Sequence, residues 1–133
     1  MQLTNTLIDL LKKRGISGEE EIAEFLSPKP RRTYPPSLLV DADAGVDFIL
    51  QEIEKGSRIC IYGDYDADGI CASAIMYHAL KEFGIEAHIY VPERADGYGL
   101  SIEAVDRIFD DCQPELFITV DCGISCAKET QYI

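Results

Sequence analysis

From Asp41 onward the chain alternates short apolar runs with single helical patterns, and that alternation leaves few folds open. The runs lie at 58–62, 85–91 and 116–120. Between them, Ile70–Phe83 is apolar round most of a helical circumference and closes at Gly84. Ser101–Cys112 turns Ile102, Val105, Ile108 and Phe109 to one side. Strands joined through one helix each pair in parallel, by right-handed crossovers. Ahead of the first run, Ala42, Val46, Ile49, Leu50 and Ile53 mark a further helix that ends at Gly56. The expected class is α/β, a parallel sheet with flanking helices over residues 41–133.

Residues 1–40 carry a different pattern. Leu3, Leu7, Leu10 and Leu11 recur at helical spacing and stop near Gly15, which predicts an amphipathic helix over 3–14. Ser17, followed by Glu20 and Glu21, is the expected cap of a second short helix through Phe25 and Leu26. Pro28, Pro30, Pro35 and Pro36 then exclude regular structure and predict an extended connector that includes Arg31 and Arg32. This part is expected to be a short helical arm preceding the sheet domain.

Composition narrows the function classes. No apolar run approaches the roughly 20 residues of a membrane span, and no signal-peptide pattern is present. Five cysteines without a CxxC pair argue against a disulfide framework and for a reducing cytoplasm, with most of the thiols free and buried. Cys122 and Cys126 alone are weak grounds for a zinc site. The net charge of −12 is unlike that of a free-standing nucleic-acid binder, which carries a basic face. A nucleic-acid substrate would need positive charge from bound metal, from local arginines or from another part of the protein.

The chemistry follows the first apolar run. Asp64, Asp66 and Asp68 occupy alternate positions between Gly63 and Gly69. Carboxylates this close repel one another and lose solvation when partly buried, a cost that a cation removes. Hard divalent ions take oxygen ligands of this kind. A solvated acidic loop leaves unexplained why the acids lie between an apolar strand and an apolar helix. A calcium loop matches at Asp64, Asp66, Asp68 and Gly69, but its closing bidentate Glu falls on Ile75. Manganese is therefore expected to bind in preference to calcium. A receiver-type phosphoacceptor module for signalling is the alternative, although it requires further strands and a lysine after Asp121.

In open parallel sheets the ligand crevice lies beyond the carboxyl ends of the strands. Asp121 stands there after the third run, and Arg94 to Gly99 after the second. Arg94 and the loop Gly97, Tyr98 and Gly99 offer guanidinium and amide donors to an anion. Ser125, after Asp121, is a further candidate substrate contact. His78 and His88 fall inside a helix and a strand and are assigned core or surface roles. The reading these residues support is a phosphate-handling metal site in an α/β sheet, with Asp64, Asp66, Asp68 and Asp121 as its acids.

Three motifs in order carry a resemblance. They are Gly-Asp-Tyr-Asp-Ala-Asp-Gly at 63–69, Val-Pro-Glu-Arg at 91–94 with Gly-Tyr-Gly-Leu at 97–100, and Thr-Val-Asp-Cys-Gly-Ile-Ser at 119–125. The chain resembles the DHH phosphoesterase family, in particular the N-terminal part of its single-stranded-DNA-specific 5′→3′ exonucleases. Phe25-Leu26-Ser27-Pro28 is similar to the start of those enzymes. The resemblance implies ligation of manganese or magnesium by the acids of the first turn and Asp121, in a two-metal site of the complete protein, and metal-assisted phosphodiester hydrolysis with Asp64, Asp66, Asp68 and Asp121 acting through that metal. It also implies single-stranded DNA as partner, and roles in DNA repair and recombination. Other members of the family often carry a histidine where Tyr62 stands. The Asp-His-His signature is expected further along than Ile133. Residues 41–133 are thus expected to be a partial DHH domain, nearly inactive alone, with an uncovered sheet edge that invites self-association.

Overall fold

The structure, a computed structural model, describes residues 3–29 and 33–133. The part of the expected connector at Pro30, Arg31 and Arg32 lies outside the described residues. The chain divides into two compact units, Met1–Ala42 and Asp43–Ile133.

In the first unit, α1 (Asn5–Lys13) is capped by the Thr4 hydroxyl, which accepts from the Leu7 amide at 3.4 Å. Lys12 and Lys13 sit in its last turn, where positive charge meets the negative end of the helix dipole. The second helix, α2 (Glu19–Phe25), starts after Gly18 rather than from a Ser17 cap. The Glu21 carboxylate folds back to accept from the amides of Ser17 and Gly18 at 3.3 and 3.2 Å, so the serine hydroxyl is not needed. The proline-rich connector is not wholly irregular. Pro36–Leu38 forms one 3₁₀ turn, with Pro36 at a first position where a missing N–H costs no hydrogen bond.

The second unit is a parallel α/β sheet. It comprises α3 (Ala42–Lys55, its first residue falling in the other unit), β1 (Ile59–Tyr62), α4 (Ala67–Glu82) and β2 (His88–Tyr90). It continues through α5 (Ile102–Cys112), β3 (Leu116–Thr119) and α6 (Ala127–Tyr132). The sheet order is β2-β1-β3, with Tyr62 opposite both Tyr90 and Thr119, so the three strands finish along one edge. The central strand is buried on both faces, with the period of two that a strand imposes. Cys60 and Tyr62 pack with Leu100 and with Ala104, Val105 and Ile108 of α5. Ile59 and Ile61 pack with Leu80 of α4, and Ile49 and Ile53 of α3 lie against the same cluster. Each fully buried Ile or Leu of this kind contributes roughly 1.5–3 kcal/mol.

Three local expectations are corrected. Pairing in β2 begins at His88 instead of Ile85, because the amides of Gly84 and Ile85 turn back to the carbonyls of Lys81 and Leu80 at 2.9 and 3.1 Å and end α4. The helix α4 starts at Ala67, three residues before Ile70, which draws Asp68 out of the turn and into the helix. All five cysteines are free, but only Cys60 is buried. Cys71 faces solvent, and Cys112, Cys122 and Cys126 are half-buried. Among the described residues no helix is long and apolar enough to cross a membrane.

Candidate metal centre

Only four residues separate the end of β1 from the start of α4, and the acids sit in that reversal. Asp66 is the N-cap of α4, and its Oδ1 accepts from the amides of Asp68 and Gly69, both at 3.0 Å. Asp64 is 2% exposed, and its Oδ1 accepts from the Tyr65 amide at 2.7 Å. The first turn of α4 rests directly on the Asp64 backbone. A Cβ on Gly69 would stand 2.5 Å from the Asp64 carbonyl oxygen and 2.6 Å from its nitrogen, so this position excludes a side chain. The Ser73 hydroxyl, also buried, donates to the Gly69 carbonyl at 2.8 Å and secures the same contact from within the helix.

The third carboxylate comes from the other side of the sheet centre. Asp121 follows β3 in a left-handed conformation, φ 59°, which only a few non-glycine residue types adopt readily. Gly123, at φ 93°, then lets the chain double back over Thr119, whose Oγ1 would lie 2.5 Å from any Cβ there. As a result Asp64, Asp66 and Asp121 each present one carboxylate oxygen, all within 4.8 Å of one another. Asp68 stands in the first turn of α4, exposed, outside that group.

The electrostatics match the geometry. The Asp121 carboxyl is held above the usual carboxylate range, first by lost solvation and then by the negative charges of Asp66, Asp68 and Asp64. Such a cluster favours either a proton or a cation. Three carboxylate oxygens are the donor set of a hard divalent ion, so the residues present fit manganese or magnesium.

The loop after β2 borders this cluster. Arg94–Asp96 makes a 3₁₀ turn in which the Arg94 guanidinium lies 5.1 Å above the Tyr65 ring. Asp96 closes the turn by accepting from the Glu93 amide at 3.0 Å and from Arg107 at 3.4 Å. Gly97 and Gly99 flank Tyr98, which is 73% exposed and donates its hydroxyl to the Asp121 carbonyl at 3.4 Å. Tyr98, Asp121 and Ser125 line one open cleft of ≈ 290 Å³, together with Cys122, Gly123 and Ile124. Arg94, Gly97 and Gly99 do not line it. A cleft of ≈ 360 Å³ at the opposite end of the strands, bordered by Arg58 and His88, contains none of the candidate residues. His88 lies 3.4 Å from Asp111, and His78 packs edge-on to Tyr77.

One contact of this neighbourhood escapes sequence reasoning. Tyr62 is 1% exposed, and its hydroxyl donates to the Gly99 carbonyl at 2.9 Å, tying the end of β1 to the loop after β2. The only signal in the sequence is an aromatic residue closing an apolar run.

Acids gathered at the carboxyl edge of a parallel sheet, beside an open cleft, make this an α/β domain whose donor set fits a divalent cation. The family model described as "DHH family, N-terminal domain" matches residues 58–133, and the chain belongs to this family. The relatives are more particular. Over 98% of its length the chain is 34% identical to the single-stranded-DNA-specific exonuclease RecJ of Bacillus subtilis (strain 168), of which it covers 17%. It is 32% identical to the RecJ exonuclease of Escherichia coli (strain K12) over 93% of this chain and 21% of that protein. Two solved structures are similar. One is exonuclease RecJ bound to manganese, with TM-score 0.66, 33% identity, and coverage of 77% of this chain and 26% of that one. The other is RecJ from Thermus thermophilus in complex with Mn²⁺, with TM-score 0.61, 25% identity, and coverage of 98% and 20%. The chain thus spans about a fifth of the length of the curated relatives it matches. Membership of the DHH family decides against the receiver-type alternative.

Proposed function

We propose that this chain supplies the first part of a metal-dependent phosphodiesterase, a single-stranded-DNA-specific 5′→3′ exonuclease of DNA repair and recombination. The observation that carries this reading is the convergence of Asp64, Asp66 and Asp121, one oxygen each, within 4.8 Å at the carboxyl edge of the sheet. In this reading residues 1–40 form a helical arm and 41–133 a partial DHH domain, acting in the cytoplasm. Asp64, Asp66 and Asp121 hold manganese or magnesium, with Asp68 adding charge from the first turn of α4. Manganese is favoured by the two similar structures that contain it. When bound, the ion supplies a more acidic water and neutralises charge developing on the phosphoryl oxygens.

The other groups bind and orient. Arg94, Gly97, Tyr98, Gly99 and Ser125 are assigned to the substrate phosphates, and the N-terminus of α4 adds a dipole favourable to an anion. The net charge of −12 means that DNA is repelled over most of the surface, so attraction is local to these groups and the bound ion. Among the described residues the outer edges of β2 and β3 pair with no further strand, which supports self-association through an edge.

A chimera tests the function. This chain, exchanged for the corresponding segment of the Bacillus subtilis relative, is expected to restore Mn²⁺-dependent digestion of single-stranded DNA from its 5′ end. Asp66→Ala and Asp121→Ala in the same chimera are expected to abolish it. A well-folded chimera that binds Mn²⁺ but leaves single-stranded DNA intact would refute the assignment.

A further inference from the structure

Tyr62 ends β1, yet none of the chemistry above uses it. Its ring lies 5.5 Å from that of Tyr90 and 6.0 Å from that of Phe117, stacked on both, so the neighbouring strands fix it from two sides. Its hydroxyl leaves this stack toward the loop after β2 and donates to the Gly99 carbonyl at 2.9 Å. A backbone carbonyl can only accept, so the Tyr62 hydroxyl is the donor of this bond. Among the described residues the amides of 97–100 make no backbone hydrogen bond. Gly97 and Gly99 have φ of 91° and 87°, and the Tyr98 between them is 73% exposed.

We propose that Tyr62 is a positioning residue, whose buried hydroxyl sets where the Gly97–Gly99 loop stands beside the carboxylates and so presents Tyr98 and the loop amides to a phosphate-bearing strand. The identity of that ligand rests on the phosphodiesterase reading. The pin itself does not.

Tyr62→Phe keeps the stacked ring and removes only the donor. Backbone order parameters of residues 97–100, from nitrogen relaxation, are expected to fall clearly below those of the parent, while those of β1 and β3 stay unchanged. Mn²⁺ affinity, followed by electron paramagnetic resonance, is expected to stay within about twofold, and a 5′-phosphorylated oligothymidylate in the presence of Mn²⁺ to bind about fivefold more weakly. Unchanged order parameters in the loop overturn the proposal. An equal fall across all three strands also overturns it, since that marks a general loss of packing. If the variant does not fold, the unaltered chain decides: a pinned hydroxyl gives a slowly exchanging proton resonance with cross-relaxation to the Gly99 α-protons, and its absence overturns the pin. An unaltered chain that takes Mn²⁺ but not the oligonucleotide counts against the phosphodiesterase reading, and the loop order parameters still judge Tyr62.

Discussion

At the scale of single residues, the cluster carries opposed demands. Asp121 is an acid among acids, in a backbone conformation that few side chains tolerate. Its carboxyl titrates above the unfolded value, so the folded, metal-free chain binds more protons than the unfolded chain in the window just above the ordinary carboxylate range. The stability this group contributes is present below the unfolded value and lost as pH rises through the raised one. Asp121→Asn, which suits the left-handed conformation, is therefore expected to melt higher than the parent near pH 7. The difference should shrink as the pH is lowered toward about 4; thermal melts across that range without metal check the sign. Gly69 makes the opposite demand, for no side chain. With the Asp64 backbone 2.5 Å from a Cβ, Gly69→Ala is expected to cost about 1–3 kcal/mol or more in urea denaturation and to weaken Mn²⁺ binding by displacing Asp64.

At the scale of elements, Asp66 serves both a helix and the carboxylate cluster. Asp66→Ala removes the cap of α4, worth about 1 kcal/mol, together with a carboxylate of the cluster. Asp66→Ser is expected to recover most of the stability and none of the Mn²⁺ affinity, so urea denaturation and metal titration of the two variants separate the roles. The same residue shows what was legible in the sequence. Parallel pairing, the helices that join the strands and the placing of Asp64, Asp66 and Asp121 beyond the strands' carboxyl ends follow from alternating apolar runs and the crossover rule; the order β2-β1-β3 does not. The start of α4 did not follow, because Ala67-Asp68-Gly69 has the composition of a turn and only the Asp66 cap makes it helical. That shift takes Asp68 out of the group. β2 was overextended for a related reason. Ile85 and Ala87 are apolar enough for a strand, but the Ile85 amide is already engaged with Leu80. The bond from Tyr62 to Gly99 was not legible, because a hydroxyl reaching a carbonyl many residues away leaves no periodic trace.

At the scale of the whole molecule, the cation becomes part of the stability. A ligand that binds only the folded state stabilises by mass action, about 2.7 kcal/mol at a hundredfold excess over its dissociation constant. Urea denaturation with saturating Mn²⁺ is expected to show an increase of this order, and equimolar Ca²⁺ a much smaller one. A larger effect of Ca²⁺ would revive the calcium-loop reading despite Ile75.

The placement of the carboxylates also bears on how fast the fold comes apart. Asp64 and Asp66 lie in the turn between β1 and α4, whereas Asp121 follows β3, with α4, β2 and α5 threaded between them. An ion shared by the three closes that stretch into a ring, a non-covalent staple across both crossovers. Separating β3 from β1 then requires the ion to leave first. With the ion held by these three carboxylates as proposed, metal release would gate unfolding, and the chain would persist longest where the metal is most abundant.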